Sequence, residues 1–110
     1  MKVVTLTDGD NGREVSVPVG ATLRVELKTQ AGTGYGWYVE EVEPVRLKLE
    51  KAETVDMAPR GVAGGPELGV WSFKPVSSGD TRLRMLYYRV WEGKDKAVNK
   101  YEVKIHITGG

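Results

Sequence analysis

Cysteine is missing from this 110-residue chain, and histidine occurs once, as His106. Without thiols there is no disulfide framework, no thiol nucleophile and no thiolate metal site, and a single histidine argues against zinc. The compartment stays open, because a well-packed β domain holds together in oxidising surroundings without bridges. No apolar run approaches the roughly 18 residues needed to cross a bilayer. Charge of one sign is lacking too: 16 basic and 15 acidic side chains leave a net charge of +1. That balance supplies no field to draw in nucleic acid or an anionic membrane, and neither is expected as a partner. No stretch of ten residues carries the 3.6 period of a helix. Met1-Lys2-Val3-Val4 runs straight into strand-like sequence with no signal peptide, so an intracellular protein or a processed secreted or periplasmic form is expected.

What the chain does contain is alternation. Leu23, Val25 and Leu27 alternate with Arg24, Glu26 and Lys28; Leu47 and Leu49 with Lys48 and Glu50. Leu83, Met85 and Tyr87 alternate with Arg82, Arg84 and Leu86, and Val103, Ile105 and Ile107 with Glu102, Lys104 and His106. One apolar and one mostly polar face per run is the pattern of antiparallel sheets with one side in water. Further strands are expected over 3–7, 13–17, 36–42 and 69–76. Asp8-Gly9-Asp10-Asn11-Gly12 reads as a hairpin connection. Pro18-Val19-Gly20 and Ser77-Ser78-Gly79-Asp80 punctuate the chain likewise. About eight short strands in one domain, 1–110, predict an all-β, immunoglobulin-like β-sandwich.

Three stretches break the alternation: Thr29 to Gly36, Ala58 to Gly69 and Arg89 to Lys96. Long irregular loops in a compact domain usually carry function. Catalytic chemistry is scarce. His106 falls on the polar side of a strand and reads as a solvent-facing structural residue. Glu40, Glu41 and Glu43 read as solvated, since consecutive strand residues point to opposite faces. The 8–12 segment lacks the glycine position and closing glutamate of a calcium loop. Gly61 to Gly65 lacks the Lys-Ser/Thr ending of a phosphate-binding loop. The expectation is a binding protein, not an enzyme, without metal or cofactor.

What remains is a stiff scaffold presenting glycine-rich loops with arginine and tryptophan, the residue types that dominate binding hot spots. Gln30-Ala31-Gly32-Thr33-Gly34-Tyr35-Gly36-Trp37, Val62-Ala63-Gly64-Gly65 and Met85-Leu86-Tyr87-Tyr88-Arg89-Val90-Trp91 follow one another in order. The chain thereby resembles the chagasin-type inhibitors of papain-like cysteine peptidases, whose three loop motifs read Asn-Pro-Thr-Thr-Gly-Tyr-x-Trp, Gly-x-Gly-Gly and Arg-Pro-Trp. The Asn-Pro start and the central proline are absent here, which leaves two loops less pre-organised. That bears on affinity and target range more than on fold.

The resemblance implies a monomeric inhibitor whose three loops form a wedge at one end of the sandwich. Gly32, Thr33, Gly34 and Tyr35 would form the loop that enters the protease cleft, with Thr33 and Gly34 over the catalytic cysteine; the alternative for Tyr35 is a brace at the loop base. Val62, Ala63, Gly64 and Gly65 would lie along one wall, and Arg89, Val90 and Trp91 along the other. Trp37 and Tyr87 are expected in the core, and Trp71 and Phe73 are expected to pack inside or to shield a loop. Two rival readings predict different things. A structural or adhesion module would scatter the three loops to different ends. A carbohydrate-binding module would line up aromatics on one exposed sheet face.

Overall fold

In the computed structural model, which describes residues 2–56 and 65–109, the alternating runs become eight strands. They are β1 (Val3–Leu6), β2 (Glu14–Pro18), β3 (Thr22–Ala31), β4 (Tyr35–Glu41), β5 (Leu47–Asp56), β6 (Gly65–Pro75), β7 (Gly79–Arg89) and β8 (Asn99–Thr108). Two four-stranded sheets, ordered β1-β3-β6-β5 and β2-β8-β7-β4, face each other. The inward members of each alternation fill the space between them. Leu23, Val25 and Leu27 meet Phe73, Leu83, Met85, Val103, Ile105 and Ile107, all essentially without solvent contact. Leu49 breaks the pattern at 40% exposure. It lies on β5, the outermost strand of its sheet, where the register against β6 shifts between Leu49 and Lys51.

The expected hairpin over 8–12 is not one. β1 pairs in parallel with β3, and β2 in parallel with β8, so the segment carries the chain from one sheet to the other. Local hydrogen bonding explains the difference. The Asp10 carboxylate accepts the Thr7 backbone N–H at 2.8 Å, and the Asp10 N–H bonds back to the Thr7 carbonyl at 2.9 Å. This reciprocal cap winds Asp8–Asp10 into a 3-10 turn instead of a two-residue reversal. The wholly antiparallel sheets read from the alternation are corrected by the same pairings, since each sheet carries one parallel strand at its edge.

β1 covers β3 only as far as Val25, which leaves the outer edge of β3 bare from Lys28 onward. Unpaired backbone groups there need partners, and side chains supply them. The Lys28 N–H donates to the Asp8 carboxylate at 3.1 Å, and the Lys28 carbonyl accepts from the Trp37 indole at 3.2 Å. The second bond ties the two sheets together just below the β3–β4 connection.

Tyr101 closes the opposite side of the same region. Its hydroxyl donates to the Thr7 carbonyl at 2.9 Å, and burial, with Asp10 and Asp8 nearby, pushes its phenol well above the usual value of 10.0. The unfolded chain releases this proton from about pH 10, while the folded chain keeps it. Stability should therefore hold up to that pH and fall as the pH rises beyond it. Urea midpoints followed upward through about pH 10 should decline, and Tyr101→Phe should flatten the decline while losing about 1 kcal/mol at neutral pH.

Candidate functional site

β3 leads into β4 through Gly32, Thr33 and Gly34 alone. Both glycines have positive φ, +82° in each case, which reverses the chain sharply. Thr33 locks the reversal from inside. Its hydroxyl donates to the Gln30 carbonyl at 2.9 Å and accepts the Tyr35 N–H at 3.2 Å. The Thr33 side chain is thus turned into the loop, and the exposed element of the connection is backbone at Gly32 and Gly34. Thr33→Val should lose about 1 kcal/mol and expose the Tyr35 amide to faster hydrogen exchange, and Thr33→Ser should restore both.

Tyr35 pairs with Arg89 across β4 and β7, so the connection after β7 begins beside the one before β4. Three contacts join them. Arg89 Nε donates to the Thr33 carbonyl at 3.0 Å, and its guanidinium sits 4.4 Å above the Tyr35 ring centroid. The Trp91 ring lies against Gly34, so that a Cβ added there would stand 2.1 Å from Trp91 Cη2. Beyond Arg89 the chain is shaped by its own turn. The Arg89 carbonyl accepts from the N–H groups of Glu92 and Gly93, and Lys94 Nζ reaches Glu40 on β4 at 3.1 Å. Val90 and Trp91 are left at the crest, 64% and 69% exposed.

Aromatic contacts carry this edge down into the core. Tyr35 stacks on Tyr87 at 5.3 Å, Tyr87 meets Trp37 at 5.0 Å, and Trp37 meets Tyr101 edge-on at 6.4 Å. Such pairs are worth about 0.5–1.5 kcal/mol each beyond their buried area. Trp37 and Phe73 are core residues as expected, while Tyr87 and Trp71 pack against the core with part of each ring outside it.

Of the candidate residues, the structure brings Gly32, Thr33, Gly34 and Tyr35 together with Arg89, Val90 and Trp91 at one pole. Val62, Ala63 and Gly64 lie outside the described residues. Gly65 is the first residue of β6 and pairs with Ala31, the last residue of β3. The stretch expected to be irregular up to Gly69 is therefore strand from Gly65 onward. Its glycines match sheet geometry because Leu68, Gly69 and Val70 continue the ladder with β3 and β5 on both sides. Sequence reading missed the bracing pair Lys94–Glu40. No local signal links two residues so far apart in the chain.

A family model described as the chagasin family peptidase inhibitor I42 matches residues 16–106, from β2 to β8. The chain belongs to the chagasin family of peptidase inhibitors. That membership agrees with the expectation of a protein that binds rather than catalyses. Amoebiasin-2 from Entamoeba histolytica is 25% identical over 91 residues, covering 82% of this chain and 74% of that protein. The crystal structure of the cysteine protease inhibitor EhICP2, also from Entamoeba histolytica, superposes with a TM-score of 0.86 at 21% identity, covering 97% of this chain and 96% of that one. PbICP-C, solved in complex with falcipain-2, superposes with a TM-score of 0.69 at 18% identity, covering 98% and 100%. These two structures share the family's sandwich.

Proposed function

We propose that this chain is a reversible inhibitor of papain-like cysteine proteases, and that it occludes the active-site cleft with the edge formed by the 32–35 and 89–91 segments. Family membership sets the class of activity. Two structural relatives point toward the target: one is described as a cysteine protease inhibitor, and another is held in a complex with falcipain-2. The observation that carries the reading is the contact of Trp91 with Gly34. It makes two segments distant in sequence into one preformed unit.

The residue types suit the task. Glycine backbone at the crest enters a narrow groove without offering a side chain to a specificity pocket, so the thiolate meets a peptide it cannot hold in a cleavable register. Val90 and Trp91 supply exposed apolar surface beside it. An interface of this kind buries about 800 Å² per partner. A loop pair already locked by Arg89 and Thr33 loses little conformational freedom on docking, which is where affinity is otherwise spent. Gly64 and Gly65 would add the second wall. The structural-module reading expects dispersed loops, and the close approach of the 32–35 and 89–91 segments weighs against it.

Residual activity of papain, with a serine protease as control, tests the proposal. Papain alone should be inhibited, and Trp91→Ala should weaken inhibition roughly 30-fold, as loss of a hot-spot aromatic does. Full papain activity at micromolar protein would overturn it.

A further inference from the structure

Next to the loop edge the sandwich is open between the sheets. A cleft of about 240 Å³ remains there, with Tyr35, Trp37 and Tyr38 of β4 on one side and Thr54, Glu67 and Trp71 of β5 and β6 on the other. Its make-up is uneven. The walls are aromatic, and Glu67 is the one charged side chain among the described residues that line it. Glu67, Gly69 and Trp71 follow one another at two-residue spacing on β6, on the face that also carries the buried Phe73. Gly69 is what lets the indole lie down toward Glu67: a Cβ there would meet Trp71 Cη2 at 2.5 Å. A carboxylate and a recumbent indole therefore share one partly desolvated recess, with Thr54 beside them on the neighbouring strand β5.

Different occupants fare differently there. An anion meets the carboxylate head-on. An apolar side chain dehydrates Glu67 without giving it a partner. A planar cation satisfies both walls, since its face lies on the indole while its N–H groups donate to the carboxylate. Arginine does this better than lysine because its guanidinium is flat, forked and weakly hydrated. We infer that this cleft is a subsite for an arginine side chain, presented by the protease docked at the same pole. The inference rests on the proposed function for the source of that arginine. The recess is lined in part by Tyr35 and Gly36, which follow the 32–34 connection in the chain, so it lies within reach of a protein docked at the edge.

The test separates the subsite from inhibition. The full chain is titrated with Nα-acetyl-arginine methylamide and with its uncharged counterpart Nα-acetyl-citrulline methylamide, following the indole N–H signals by NMR. The arginine compound should shift the Trp71 signal saturably below roughly 100 mM, the range in which one side chain binds one subsite. The citrulline compound should leave it in place. Glu67→Gln should weaken the response about tenfold or more, Trp71→Phe should keep a weaker response at the neighbouring amides, and Trp91→Ala should leave it unchanged. Preserved amide dispersion establishes that each variant is folded. Equal response to the two compounds, an undiminished response in Glu67→Gln, or no Trp71 shift in that range overturns the subsite. Failure of the unaltered chain to inhibit papain overturns the proposed function instead, and the titration is read without any protease.

Discussion

Gly34→Ala should leave a folded protein that has lost most of its inhibition. Two independent constraints act at this position. The backbone sits at φ +82°, where an L side chain costs about 1–2 kcal/mol. The new methyl would also stand 2.1 Å from Trp91 Cη2, closer than atoms can approach. Trp91 is 69% exposed, so the ring can swing away without disturbing the core. The stability loss therefore stays near the backbone term, a fall of several degrees in Tm for a domain of this size. Inhibition of papain should drop about 10- to 100-fold, because the displaced ring is a hot-spot residue and the edge is no longer one unit. A Gly34→Ala protein that inhibits as well as the parent would show that the Trp91 contact has no part in binding.

Phe73→Ala should do the reverse, with a large loss of stability and little specific effect on the edge. Phe73 has no solvent contact, on a strand flanked by β3 and β5. Truncating a buried phenylalanine costs about 3–5 kcal/mol. That is a large share of the roughly 5–15 kcal/mol that holds a domain together. Chemical denaturation should show the midpoint falling without a change of slope. At temperatures where the variant remains folded, its inhibition constant should match the parent's. A loss below 1 kcal/mol would mean that the surrounding side chains collapse into the space.

Alternation revealed the strands because a two-residue period survives in any half-buried sheet, whatever its neighbours. Leu83, Met85, Ile105 and Ile107 could be assigned to the core from the chain alone, and the structure places them there. Strand direction was not legible. The segment 8–12 has the composition of a reversal, and only the bonds among Thr7, Asp8 and Asp10 turn it into a crossing between sheets. The edge was half legible. Residue types at Gly34, Arg89 and Trp91 marked the loops, but their mutual contacts depend on the register Tyr35↔Arg89. Arg89 shows the limit most plainly. Nothing in the chain alone shows that its guanidinium lies over Tyr35 and its Nε on the Thr33 carbonyl. Glu67 drew no attention, because a carboxylate on a strand has nothing unusual about it until Gly69 lets an indole lie beside it.

Parallel pairing of β2 with β8 sets a condition on how the molecule is born. Glu14 lies opposite Lys104 and Val17 opposite Ile107, so the hydrogen bonds of one segment are completed by another far along the chain. Contacts between such distant segments form slowly, since the loop must close before it is rewarded. The second sheet stays incomplete until β8 has joined it. Until β8 is available, β2 waits without its partner, and a chaperone that shields short strands would act on the folding protein there.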